Sequence, residues 1–337
     1  MVQDEQTRPT IIRSIRAIIS MPRRRFGKKL FKSFLPILLV LVLAFVIALA
    51  SIVHGITRPP RQAYLVTPQS FSQISGSALK VTDENWRNRD GTAARGWLLR
   101  GTDGAPAIVL LHRYGGDRSW LFNLGIKLNE ANGFTVLWPD LRGHGLNPPV
   151  TSSTFGMKEG QDVLAALDFI RGLKGANREH LAADVFGVYG VELGAYAAMS
   201  AAVQDSTLRV LVLDSVPRSS DELINAGVSQ HIGVANKTLL SIARFATRVY
   251  FMNQYQNGSA CQMASELKNP RVLLLAGADD GYLRDSSADV QRCFQNKAHV
   301  EAKLDLPLTG FNLPSATGEL GEGYDRPVID FFARNLQ

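Results

Sequence analysis

Glu192 has more chemical reach than any other side chain in this sequence. It lies in Gly190-Val191-Glu192-Leu193-Gly194, where the strand pattern 183–189 meets a helical pattern that starts at Ala195. A turn from strand to helix is tight, and glycine on both sides leaves room where a Cβ would crowd. The apex residue is thereby held out at the end of a sheet. A carboxylate there can attack an electrophilic carbon or exchange a proton. A second carboxylate, Asp280, ends Gly277-Ala278-Asp279-Asp280, directly after the apolar run 271–276. A cation, Arg113, follows the apolar run 107–112 in His112-Arg113-Tyr114-Gly115-Gly116. No pair of histidines or cysteines has metal-ligand spacing. Gly115-Gly116 lacks the Lys-Ser/Thr of a phosphate-binding loop. No cofactor is therefore expected.

Alternating strands and helices must position these groups. Strands are expected at 78–83, 94–100, 107–112, 134–139, 183–189, 208–214, 271–276 and 300–306, and helices at 118–131, 157–173, 193–204, 284–295 and 325–335. Several strands are short, unbroken apolar runs, as central parallel strands buried on both faces should be. The alternation gives an α/β layer fold, a mostly parallel sheet with helices on both faces. The stretch 217–269 is too long for a plain connection. It reads as a helical insertion, with 238–253 its clearest helix.

With these elements in place the chain resembles the α/β-hydrolase family over about residues 78–335. Leu110 to Gly116 looks like the family's strand ending in His-Gly, which opens the oxyanion loop. Pro139-Asp140-Leu141-Arg142-Gly143-His144-Gly145 looks like its Asp-x-Arg-Gly-His-Gly turn. Val188 to Ala195 looks like the nucleophile elbow, Gly-x-Ser-x-Gly, and residues 277–280 look like the acid turn. The resemblance implies a lid at 217–269, Glu192 in place of the nucleophile and Asp280 at the acid position. It puts the triad histidine near Phe311 or Asn312, where none occurs. His299 precedes the last strand and is on its wrong side. Arg113 replaces the glycine that usually follows the loop histidine. Arg113, Tyr114, Val191 and Leu193 should surround the pocket, and Arg113 and Glu192 should form an ion pair across it. His112 and His144 read as structural, and His231 as a lid residue.

A fold does not fix function. Aspartate at the elbow serves some family members as a nucleophile, but their second step needs a histidine to activate water. The reading adopted is a scaffold that has lost its chemistry and binds a small ligand or protein partner at the lid. An active hydrolase using Glu192 in an atypical mechanism, for an ester, amide or related bond, is the alternative. A structural membrane protein with an interaction surface is a third reading.

The net charge of +7 is confined to the N-terminal tail. Residues 1–33 hold nine Lys/Arg and two acids, and the remainder has 28 of each sign. Such a neutral domain gives no basic nucleic-acid surface. Residues 34–53 carry no charge and are long enough to span a bilayer. The basic tail before them places the N-terminus in the cytoplasm and the main domain outside it. The expected partner of anchor and tail is therefore membrane lipid. Ala48-Leu49-Ala50 would suit a cleaved signal peptide, but the apolar run exceeds the usual ~7–15 residues. Isoleucines 11, 12, 15, 18 and 19 share one helical face, which fits either a surface-lying helix or a plain basic tail. Residues 54–77 read as a linker, leaving 78–337 as the α/β domain. Asn236 and Asn257 head glycosylation sequons. Cys261 and Cys293 are either a disulfide, permitted outside the cytoplasm, or two free thiols.

Overall fold

A computed structural model describes residues 23–75, 80–176, 179–233, 236–252, 258–313 and 318–336. The isoleucine pattern of the tail and Asn257 fall outside them. The chain divides into two compact units between Ser51 and Ile52. The first is dominated by helix α1 (Arg23–Ile56), whose segment Phe31–Ile56 contains an 18-residue stretch of mean hydropathy 3.1 and is long and apolar enough to cross a membrane.

The second unit is built on one eight-stranded sheet in the order β1-β2-β4-β3-β5-β6-β7-β8. The strands are β1 (Val81–Arg87), β2 (Ala93–Leu99), β3 (Ala105–Leu111), β4 (Thr135–Pro139), β5 (Ala182–Val191), β6 (Leu208–Asp214), β7 (Arg271–Gly277) and β8 (Val300–Leu306). Only β2 runs against its neighbours, and β3 to β8 are parallel. Each expected strand is present, but β1 is displaced from 78–83. Its sequence VTDENWR is polar and half-exposed, so its span is set by pairing with β2 rather than by apolar residues.

Alternation along β3 shows why central runs are apolar throughout. Ala107, Val109 and Leu111 enter one core, while Ile108 and Leu110 enter the other. The first core is covered by α4 (Glu159–Gly172), α5 (Leu193–Gln204), α8 (Ala260–Glu266) and α9 (Tyr282–Cys293). The second is covered by α3 (Phe122–Asn132) and α10 (Gly318–Asn335). α10 begins earlier than the expected 325 and carries Pro327 inside it. The insertion between β6 and β7 holds α6 (Ser220–Ile232), α7 (Lys237–Tyr250) and α8. Cys261 of α8 is bridged to Cys293 of α9, with Cα atoms 5.2 Å apart, which resolves the two cysteine readings in favour of a disulfide.

Of the expected linker 54–77, the described residues 54–75 are packed rather than loose. They contain α2 (Pro68–Ser75). Thr57 accepts a 2.8 Å hydrogen bond from the Ser153 N–H, and the Tyr64 hydroxyl donates to Asp140 at 2.8 Å.

Candidate functional site

The turn between β5 and α5 is forced into its shape by the close backbones of β5, α5 and the neighbouring β3. A Cβ on Gly190 would lie 2.4 Å from the Gly194 carbonyl carbon, and one on Gly194 would lie 2.3 Å from the Leu111 carbonyl oxygen. Main-chain atoms cannot give way, so glycine is required at both places. Glu192 at the apex has φ 48° and ψ −102°, a conformation that a residue with a side chain adopts only under constraint. The close approach of the turn to β3 brings Glu192 to the loop that begins at His112.

Glu192 is 3% exposed. Its Oε2 accepts a hydrogen bond from the Tyr114 N–H at 3.1 Å. The loop donor that would be aimed at a reacting oxygen is thus taken by the apex carboxylate itself. Burial pushes the Glu192 carboxyl up to about 7, against the Arg113 charge and the Tyr114 N–H, which both pull it down. The Tyr282 phenol is raised by burial and then by the nearby Glu192 charge.

The expected ion pair is not formed. Among the described residues no ion-pair contact joins Arg113 to Glu192. The Arg113 guanidinium instead lies over the Trp120 ring, 4.4 Å from its centroid, and 5.1 Å from the centroid of Phe311. Its Nη1 donates to the Tyr114 carbonyl at 2.9 Å. A flat, weakly hydrated cation stacks well on aromatic faces, and the carboxylate already has a main-chain donor. Arg113 therefore acts on Glu192 only through its longer-range charge.

The acid side of the site is a buried polar network. Asp280 Oδ2 accepts from the Gly277 N–H at 2.8 Å and the Ser215 hydroxyl at 2.9 Å. The Ser215 oxygen is also 2.7 Å from Asp214 Oδ1. One hydroxyl proton cannot serve both carboxylates at once. Burial lifts Asp214 to about 6, opposed by hydrogen bonds from Tyr324, Ser215 and the Gly310 N–H, with the Asp280 charge adding to the rise. Gly310 N–H donates to Asp214 Oδ2 at 2.5 Å, which pins the loop after β8 by its backbone. That loop carries Phe311 over Arg113 and presents no imidazole. Asn312 donates its N–H to Thr309 within the same turn. Asp214, Ser215 and Tyr324 were not singled out from sequence. The one available signal was a carboxylate ending an apolar strand, since sites in such sheets lie at the carboxyl ends of strands.

The histidines are accounted for by packing. The His112 Nε2 accepts the Leu141 N–H at 3.1 Å, and its Nδ1 lies 2.8 Å from the Arg113 carbonyl oxygen. His144 packs edge-on against it with ring centroids 5.0 Å apart, and its Nδ1 lies 2.9 Å from the Arg142 carbonyl oxygen. Burial pushes His112 down to about 4 and His144 to about 3, so both are neutral. Arg142 itself is held by Asp162, with Nε 2.6 Å from Oδ2. His231 is an exposed residue beside Gly55, and His299 precedes β8 as expected. Tyr114, Val191 and Leu193 are buried around Glu192. Glu192 lines none of the principal clefts of the described residues. No group of three metal-ligating side chains occurs among the described residues.

No family model and no curated protein matches the chain. Solved structures do. An esterase of Pyrococcus furiosus shares 20% identity and a TM-score of 0.61, covering 83% of this chain and 98% of its own. The α/β hydrolase GrgF of a Penicillium species shares 12% identity at a TM-score of 0.57, over 77% of this chain and 99% of its own. A Pyrobaculum calidifontis esterase shares 14% at 0.54, over 79% and 89%. The chain has the α/β-hydrolase fold.

Proposed function

We propose that this is a membrane-anchored protein of the α/β-hydrolase fold that does not hydrolyse and instead holds a ligand or partner beside its lid. The observation that carries the reading is the Glu192 carboxyl, buried at the elbow and hydrogen-bonded to the Tyr114 N–H. A hydroxyl nucleophile needs an imidazole to take its proton, and the loop after β8 places Phe311 against Arg113. Asp280, with no histidine to orient, is satisfied by Gly277 and Ser215.

The rival is a hydrolase that uses Glu192. It is favoured by one fact, that the carboxyl stands at about 7, where a group both gives and takes a proton. One experiment decides. The full chain in detergent is treated with a fluorophosphonate probe and assayed on a panel of esters, beside Glu192→Gln and Glu192→Ser. No labelling and no turnover is expected from any of the three, the serine variant included, because no histidine activates it. Turnover that Glu192→Gln abolishes would establish the rival. Ligand-dependent shifts in melting then separate a ligand-binding site from a purely structural surface.

A further inference from the structure

Helix α7 of the lid carries an apolar face that the domain leaves uncovered. It buries Ala243, Ala246 and Thr247. On its outer side Phe245 is 64%, Val249 63% and Tyr250 54% exposed, and Met252, just beyond its end, 82%. Positions 245 and 249 are spaced by four, which aligns them on one helical face, and Met252 follows two residues past the helix end with φ 50°. Asn225 and Asp221 of α6 hold Arg244 and Arg248, at 3.1 and 3.2 Å, and so fix the rotation that turns this face outward. From Lys237 to Met252 the segment has three cations and no carboxylate.

The place of this helix matters as much as its composition. Ile52–Ile56, the last turn of α1, belongs to the same compact unit as the lid. Val53 and Ile56 are buried, and the Tyr114 hydroxyl donates to the Ile56 carbonyl. Gly55 lies against the His231 ring, where an added Cβ would come within 2.1 Å of Nε2. Ile232, the next residue, is 37% exposed and leads toward α7. The charge-free run ends at Val53, so the lid is fixed within a helical turn of the point where that run stops.

We propose that α7 lies in the surface of the bilayer that α1 enters, with Phe245, Val249 and Met252 among the acyl chains and the exposed Lys237 at its start near the headgroups. The proposal rests on the membrane anchoring put forward above. An amphipathic helix with exposed aromatics is suited to that depth, and the segment itself carries no carboxylate that would repel anionic headgroups. A second copy is the weaker occupant, because a stable protein interface takes about 800 Å² a side and four side chains on one helix offer only part of that.

The test uses the full chain with its disulfide intact, in vesicles of phosphatidylcholine and phosphatidylglycerol. Single added cysteines, Phe245→Cys or Met252→Cys, carry an environment-sensitive fluorophore, and Lys297→Cys, ahead of β8 at the far end of the sheet, serves as control. The expected result is a blue shift at 245 and 252 and loss of emission with brominated acyl chains, neither being seen at 297. Phe245→Glu with Val249→Glu, at exposed positions that leave folding intact, should abolish both effects at 252. Emission at 245 and 252 that matches the control overturns the proposal. A blue shift that brominated lipid does not quench and that fades as protein is diluted in lipid also overturns it, in favour of a second copy. Failure of the chain to float with the vesicles overturns the anchoring itself.

Discussion

At the scale of the residue, Glu192 combines two liabilities, a positive φ and a buried carboxyl. The first persists because β3, β5 and α5 leave the backbone no alternative. The second makes stability depend on pH. The folded chain keeps the proton up to about pH 7, while an unperturbed glutamate releases it near 4.5. Between those values the folded state binds more protons than the unfolded state, so stability falls as pH rises and is level above the window. Glu192→Gln keeps an acceptor for the Tyr114 N–H and removes the charge. It is expected to match the parent near pH 5 and to exceed it at pH 8 by up to ~3 kcal/mol. Denaturant melts at both pH values measure this, and identical pH dependence in the two proteins would show that the carboxyl does not titrate in that range.

Among the elements, the lid depends most on a single link. The disulfide between Cys261 and Cys293 joins α8 to α9, beside a 2.7 Å hydrogen bond from the Gln295 side chain to the Ser265 carbonyl. A closed loop of this length stabilises by roughly 3–4 kcal/mol on a chain-entropy view. Cys261→Ser should therefore lower the denaturation midpoint, and reductant should produce the same loss in the parent but none in the variant. A midpoint unmoved by either would mean that the bridge constrains nothing. The central strands were readable because burial on both faces makes them unbroken apolar runs. β1 was displaced because an edge strand is specified by its partner. α10 was read short because Gly318, Gly321, Gly323 and Pro327 weaken its local signal.

For the whole molecule, the separation of charge is the main physical fact. All of the net charge of +7 precedes the apolar run, and the rest is balanced. The reading that the N-terminus is cytoplasmic and residues 60–337 lie outside follows from this alone. Protease added to intact cells or spheroplasts is expected to digest the large domain. If only the tail before the anchor is cut, the orientation is reversed. The residues that follow the run are not a slack tether. Ile56, Thr57 and Tyr64 are tied to Tyr114, Ser153 and Asp140, and Tyr114 is the residue whose N–H also holds Glu192.

The sequence by itself determined the α/β layering, the apex position of Glu192, the absence of a histidine after the last strand and the apolar run at 34–53. These are local properties, carried by periodicity, glycine at crowded turns and the chemistry of single residues. Only the tertiary structure decided what Glu192 touches. Arg113 had the right charge and loop for an ion pair, yet Trp120, seven residues on, and Phe311, distant in sequence, hold its guanidinium, and the Tyr114 N–H takes the carboxylate. The linking of Asp214, Ser215 and Asp280, and the bridging of the two cysteines, likewise needed the fold. The physical reason is that a hydrogen bond or ring contact depends on separations of a few ångströms between groups far apart in the chain, and only packing sets those.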